Sequence, residues 1–126
     1  MRKDLNMRKG KMVAQGAHAS MAVILNFFES IVDRMDDSTK YFAQFEKNSP
    51  VQQWLEGKFT KICVSVDSEQ QLIEIFNDAQ AAKLPCAMIT DSGLTEFNGV
   101  PTKTCCAIGP WHSEEIDKIT GHLKLL

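Results

Sequence analysis

The polar residues best suited to chemistry lie in two short blocks of the sequence, residues 10–19 and residues 90–110. A lysine, a glutamine and a histidine from the first block could meet an aspartate and two threonines from the second. Such a set could hydrolyse an ester without a metal ion, because a carboxylate can activate water while cationic and amide groups stabilise an oxyanion. The candidate residues are Lys11, Gln15, His18, Asp91, Thr95 and Thr104.

The spacing in the first block predicts a polar face near the start of a helix. Lys11, Gln15 and His18 are four and three residues apart, so they line up on one side of a helix. The helix N-terminus adds positive potential, and with Arg8 and Lys9 this face favours an anion or a developing oxyanion. By spacing alone, a polar stripe that only faces water is the more common case.

Asp91 directly follows a short apolar strand predicted over residues 86–90. Ligands of open α/β sheets bind where strands end, and loops at strand ends often carry catalytic groups. The position also fits an Asx-turn residue whose side chain only ties the loop. The residue types leave both roles open.

The overall charge and the local charge point in different directions. The chain of 126 residues predicts one domain, and its formal net charge of −2 argues against a generally basic nucleic-acid-binding protein. The first eleven residues nevertheless carry a local charge of about +4, which could contact phosphates or could simply solvate a surface loop. The basic residues of this segment are Arg2, Lys3, Arg8, Lys9 and Lys11.

The four cysteines predict neither a zinc site nor a redox-active dithiol, because no pair has Cys-x-x-Cys spacing. Their apolar contexts predict reduced core thiols, as expected of a cytoplasmic protein, and adjacent Cys105 and Cys106 should face opposite sides of a strand. The sequence shows no metal-ligand cluster and indicates no cofactor. Polar residues interrupt the apolar stretch of residues 12–32, so no membrane span is predicted.

The elements that must position the two blocks alternate between helices and strands, which favours an α/β fold, a three-layer sandwich on a small sheet. An apolar stripe that includes Val13, Met21 and Phe28 predicts one amphipathic helix over residues 10–35. The other predicted elements are helices over 37–47 and 50–57, a strand over 59–66, a helix over 68–83, strands over 86–90 and 102–108, a helix over 113–121 and a tail over 122–126.

Ten short segments, all in the same order, resemble the signature segments of the type II peptidyl-tRNA hydrolases. The resemblance covers nearly the whole chain, and the ordered set is more specific than any single segment. The matching segments are Asp4–Met7, Lys9–Lys11, Ala14–Gln15, His18–Ala19, Trp54–Gly57, Leu84–Pro85, Asp91–Thr95, Lys103–Thr104, Ala107–Pro110 and Thr120–Leu125.

The resemblance implies a single domain over residues 1–126, a three-layer α/β/α sandwich on a small mixed sheet of four strands, and a homodimer. It implies a cytoplasmic enzyme that cleaves the ester between a peptide and the 3′-terminal ribose of tRNA. Two alternatives remain: a catalytically weak adaptor that binds tRNA ends or a protein, and a small-ester hydrolase. The residues carried over as catalytic are Lys11, Gln15, Asp91, Thr95 and Thr104; His18 lies beside them, and Arg8 and Lys9 are the candidates for contacting phosphates.

Three departures from the family pattern bear on this reading. Leu94 stands where arginine or lysine is usual and Glu96 where glutamine is usual, which suggests a bacterial subgroup. The loop before Thr104 is one residue longer than usual, so Thr102 could take its role. The family's first strand is largely missing ahead of Arg2, so an incomplete sheet with uncovered edges and low stability is expected.

Overall fold

The computed structural model describes all 126 residues and contains four helices and three antiparallel strand pairs. The chain is therefore mixed α/β, as predicted. None of the helices combines the length and apolar character that a membrane crossing requires. The helices are α1 (Lys9–Leu25), α2 (Pro50–Glu56), α3 (Glu69–Ala81) and α4 (Ser113–Thr120). The paired strands are β1 (Glu29–Asp33) with β2 (Ser38–Phe42), β3 (Val64–Ser65) with β6 (Lys124–Leu125), and β4 (Cys86–Asp91) with β5 (Thr102–Ile108).

The first three residues lie between β3 and β5 and connect these two strand pairs. Arg2 forms a parallel bridge with Val66, and its backbone N–H donates to the carbonyl of Thr104 at 2.9 Å. The N–H of Lys3 donates to the carbonyl of Val66 at 3.0 Å, and the N–H of Val66 donates to the carbonyl of Met1 at 2.9 Å. These bonds occupy the place where the sequence led us to expect an uncovered gap.

Adjacent cysteines of β5 contact different helices. The Cys105 thiol donates to the carbonyl of Gln15 in α1 at 3.3 Å. Cys106 packs instead against the core cluster that contains Leu72 and Ile75 of α3. The two side chains therefore face different ways, as predicted, and β5 lies between α1 and α3.

The predicted long first helix is wrong beyond Leu25, and so is the predicted helix over residues 37–47. This part of the chain forms the antiparallel hairpin of β1 and β2. Its β-branched and aromatic residues, such as Ile31 and Tyr41, suit a pleated strand better than a helix. The apolar spacing of this segment also fits a helical period, but the strand preference of its residues outweighs that pattern.

The buried face of α1 is also not the one that the apolar stripe indicated. Val13 and Met21 are 73% and 60% exposed, whereas Gln15, Ala19 and Val23 are buried. Small side chains on this face let α1 lie close to β4 and β5. The glutamine is tolerated there because its polar atoms have hydrogen-bond partners.

Two other predicted elements differ from the structure in extent. The strand predicted over residues 59–66 is reduced to β3, and Phe59 adopts a positive φ of 54° that no regular strand contains. Helix α4 begins at Ser113, and the N-cap residue of this helix is His112. The predicted tail contributes β6, which pairs with β3.

Candidate active site

The start of α1 and the end of β4 meet at an ion pair. Lys11 Nζ donates to Asp91 Oδ2 at 2.6 Å and to Thr95 Oγ1 at 3.0 Å. The same Nζ lies 5.5 Å from the centroid of the Phe97 ring. The side chains of Lys11 and Asp91 are only 12% and 13% exposed, so water screens their attraction less than it would on an open surface.

Gln15 links this ion pair to β5. Its Nε2 donates to Asp91 Oδ2 at 2.8 Å, and its Oε1 accepts the hydroxyl hydrogen of Thr104 at 2.5 Å. Gln15 is 1% exposed and Thr104 is fully buried. Gln15 therefore holds the Asp91 carboxylate directly, and Thr104 holds Gln15 in turn.

An irregularity in the β4–β5 pairing turns Thr104 toward α1. Two consecutive residues of β4 pair with Cys105 and Lys103, so Thr104 is an extra residue that opposes no partner. In a regular strand Thr104 and Cys105 would face opposite sides, yet both contact Gln15 here. This bulge re-aims one side chain at the site, as bulges beside active sites often do.

Thr102 does not replace Thr104 in this arrangement. Its hydroxyl donates to the carbonyl of Val100 at 2.8 Å, within the loop itself. Thr104, and not Thr102, is the threonine that bonds to Gln15, so the alternative suggested by the longer loop is wrong.

The loop after β4 is shaped by a tight turn that also uses Asp91. The Oδ1 atom of Asp91 accepts from the N–H of Gly93 at 2.8 Å, which is an Asx turn. Gly93 has a φ of +82°, and a Cβ there would lie 2.4 Å from the carbonyl oxygen of Val100. The Asx-turn role considered for Asp91 is therefore present: Oδ1 ties the loop, and Oδ2 faces Lys11.

Hydrogen bonds keep Asp91 ionised. The bond from Lys11 lowers the pKa of Asp91 below its usual range, helped by the N–H of Gly93 and the amide of Gln15, while partial burial opposes the shift. A carboxylate with a lowered pKa holds and orients donors well but is a weak base.

Two residues of the basic N-terminal segment lie away from this site. Arg2 is buried and pairs with Asp4 at 2.8 Å and with Glu69 at 2.7 Å. Lys3 pairs with Asp67 at 3.1 Å. The interpretation of the whole segment as one phosphate-binding patch is therefore wrong for Arg2, whose guanidinium stabilises the fold.

Arg8 and Lys9 differ in their surroundings. Arg8 Nε donates to Glu96 Oε1 at 2.7 Å, and this bond lowers the pKa of Glu96. The Arg8 side chain is still 78% exposed, whereas that of Glu96 is 13% exposed. Lys9 is exposed and forms no ion pair. In the sequence, Glu96 stands out only as a departure from the family pattern. No local rule predicts its contact with Arg8, which lies 88 positions away.

His18 lies on the wall of an open cleft of about 570 Å³ that Gln15 and Asp91 also line. It donates no hydrogen bond to the other candidate residues. Further along the cleft lie Leu25 of α1 and Met88 of β4, which the sequence analysis missed. No group of three or more His, Cys, Asp or Glu side chains is placed to hold a metal ion.

The whole chain, residues 1–126, matches the family model described as Peptidyl-tRNA hydrolase PTH2. It is 43% identical to a peptidyl-tRNA hydrolase of Methanocaldococcus jannaschii, over all of this chain and 95% of that protein. It is 36% identical to those of Thermococcus onnurineus and Sulfolobus acidocaldarius, over all of this chain and 92% and 95% of those proteins. These relatives are archaeal, so they give no support to the bacterial subgroup inferred from Leu94 and Glu96.

Proposed function

The chain belongs to the Peptidyl-tRNA hydrolase PTH2 family, and we propose that the site around Lys11 and Asp91 carries out its reaction. The activity is that of a peptidyl-tRNA hydrolase, a carboxylic ester hydrolase. The bond cut joins a peptide, or an N-blocked amino acid, to the 3′-terminal ribose of tRNA. The ion pair of Lys11 and Asp91, bonded to Thr95 and Gln15, is the observation that supports this site.

Lys11 stabilises the oxyanion that forms on the ester carbonyl when water attacks. An ammonium group has three N–H donors, and those of Lys11 are used once by Asp91 and once by Thr95. The third donor is available to the substrate. Loss of one oxyanion donor in a hydrolase typically lowers the rate by about 10²–10³-fold.

Asp91 orients the attacking water. Its Oδ2 atom already accepts from Lys11 and Gln15, whereas Oδ1 accepts only from Gly93. An oxygen of a carboxylate can accept two hydrogen bonds, so Oδ1 has room for a water. As the C–O bond forms, the water proton passes by way of the carboxylate to the departing ribose oxygen. Because its lowered pKa makes Asp91 a weak base, the carboxylate holds this proton only in transit and ends ionised again.

Thr95 lies where it can contact the substrate. Its oxygen accepts from Lys11, so its own O–H can donate to the ester or to the ribose. Gln15 and Thr104, both buried, are positioning residues that hold the Asp91 carboxylate.

Arg8 and Lys9 contact the tRNA outside the reacting centre, and His18 contacts the tRNA end beside that centre. Lys9 is exposed and unpaired, so it is available to a phosphate. Arg8 uses Nε for Glu96, which leaves its terminal nitrogens exposed but offsets its charge. Contacts of this kind position the substrate without reading its sequence. His18 lines the cleft beside the reacting ester.

The proposal includes a homodimer and a cytoplasmic location, where tRNA is used. Exposed apolar residues on β1 and β2 support the dimer, since a hairpin alone is marginally stable and apolar patches favour association. These residues include Ile31, Val32 and Tyr41, which are 56%, 66% and 69% exposed. Sedimentation should show a dimer that Ile31→Lys weakens; a monomeric parent would contradict it.

The contacts of Cys105 and Cys106 support the three-layer arrangement.

Release of N-acetylated amino acids from tRNA tests the function and the site together. The parent should turn over, Lys11→Met should lose about 10²–10³-fold in kcat, and both should bind deacylated tRNA similarly. Lys3→Met, which removes an exposed lysine elsewhere, is the control. Undiminished turnover by Lys11→Met would contradict the site, and a parent that binds tRNA without turnover would favour the adaptor.

A further inference from the structure

The open cleft beside Asp91 extends beyond the residues that the proposed chemistry uses. It has a volume of about 570 Å³ and lies open to solvent between α1 and β4, and half of its ten lining residues are hydrophobic. Gln15 and Asp91 form one end of it, so it is continuous with the proposed reacting centre. Catalysis uses only that end, which leaves the apolar part without a role.

We propose that the apolar part of this cleft binds the side chain of the amino acid esterified to tRNA, with a preference for apolar side chains. This inference rests on the proposed function. The α-carbon of that amino acid is bonded directly to the carbonyl carbon that water attacks, so its side chain must lie within a few bonds of Asp91. The cleft is the concave apolar space that begins there.

The side chains in the cleft suit a changing apolar ligand. Met21 and Leu25 are 60% and 52% exposed and line the cleft, so a ligand in the cleft can contact both side chains. Met21 faces the cleft from α1, and Met88 faces it from β4. Methionine is unbranched and polarizable and adapts to partners of different shape. A hydrolase that meets many different C-terminal residues needs such an adaptable wall.

The terminal adenine of tRNA is the competing occupant, and the lining of the cleft disfavours it. Protein sites for unpaired bases usually stack them on aromatic rings or on arginine. None of the ten lining residues is phenylalanine, tyrosine, tryptophan or arginine. His18 is the one ring among them, and it lies one turn of α1 from Gln15, at the end of the cleft next to the reacting ester.

Met21→Gln tests the proposal because it keeps the length of the side chain and makes it polar. The measurement is kcat/KM for N-acetyl-leucyl-tRNA and for N-acetyl-glycyl-tRNA, which share the same adenine. The leucyl substrate should lose roughly tenfold, the low end of the discrimination typical of apolar pockets, and the glycyl substrate should change less than about twofold. Met35→Gln is the matched control, since Met35 is 97% exposed on the hairpin and lies outside the cleft.

Leu25→Gln provides a second, independent variant, and thermal melts confirm that each variant is folded. Equal losses for both substrates would overturn the proposal and point to the shared adenine, and unchanged kcat/KM for both would overturn it as well. If the parent hydrolysed neither substrate, the proposed function would fail and this inference with it. Only a loss of kcat/KM that is confined to the leucyl substrate supports the proposal.

Discussion

Replacing Asp91 with asparagine removes one charge and almost no volume, so it isolates the contribution of the carboxylate. In the parent, Oδ2 accepts from Lys11 and Gln15, and Oδ1 accepts from the N–H of Gly93. An asparagine side chain accepts through one oxygen only. Its NH₂ group must therefore face either the Gly93 N–H or the Lys11 and Gln15 donors, and one set loses its acceptor.

The expected cost follows from these unsatisfied groups. A buried donor without a partner costs about 1–3 kcal/mol, which for a domain of this size lowers the Tm by roughly 3–15 °C. Turnover should fall by about 10²–10³-fold, because Lys11 loses the partner that aims its ammonium group at the oxyanion. Binding of deacylated tRNA should change much less, since no phosphate contact is removed.

The stability difference should also depend on pH. Because the folded state lowers the pKa of Asp91, its stabilising contribution is fully present above the unfolded pKa, about 4, and is lost as the pH falls through the lowered value. Thermal melts of the parent and of Asp91→Asn should therefore begin to converge as the pH falls below about 4.

Asp67→Asn is the control for this experiment. Asp67 also pairs with a lysine, but its side chain is 74% exposed, so the substitution should cost at most about 1 kcal/mol. Turnover of Asp91→Asn within threefold of the parent would refute the reasoning. Equal damage by the two substitutions would refute it too, because the partly buried site would then have no special role.

Three further predictions concern the surroundings of the site. Thr104→Val should lose about 1–3 kcal/mol of stability and at least tenfold in turnover, whereas Thr102→Val should resemble the parent in melts and in the hydrolysis assay. Glu96→Gln should release the charge of Arg8 and steepen the dependence of log Kd for tRNA on log salt by about one, which a fluorescence titration measures; an unchanged slope would contradict this. Burial raises the pKa of Cys106 to about 11, so a thiol reagent at pH 8 should label the exposed Cys63 in the folded protein but Cys106 only after unfolding; fast labelling of the peptide that contains Cys106, located by mass spectrometry in the folded protein, would count against the packing.

Local rules in the sequence singled out the central residues of the candidate site. Helical spacing placed Lys11 and Gln15 on one face, and the end of an apolar strand singled out Asp91. The structure brings these three into contact, with Thr95 and Thr104 bonded to them. Their roles in catalysis remain predictions that the substitutions above test.

Other features depend on contacts that no local rule contains. The bulge that turns Thr104 inward arises from the register of two strands, and the Arg8–Glu96 pair joins distant parts of the chain. The buried face of α1 was misassigned because Gln15 is buried through its specific partners, which outweigh its polarity. The hairpin over residues 29–42 was missed because its apolar spacing also fits a helix.

The most direct test of the central claim is a double-mutant cycle on turnover with Lys11→Met, Asp91→Asn and the double variant. If the two residues act as one unit, the double variant should be about as slow as the slower single variant, because the second change removes an interaction already lost. If the two losses multiply, Lys11 and Asp91 act independently, and the account of an ion pair that orients the oxyanion donor is wrong.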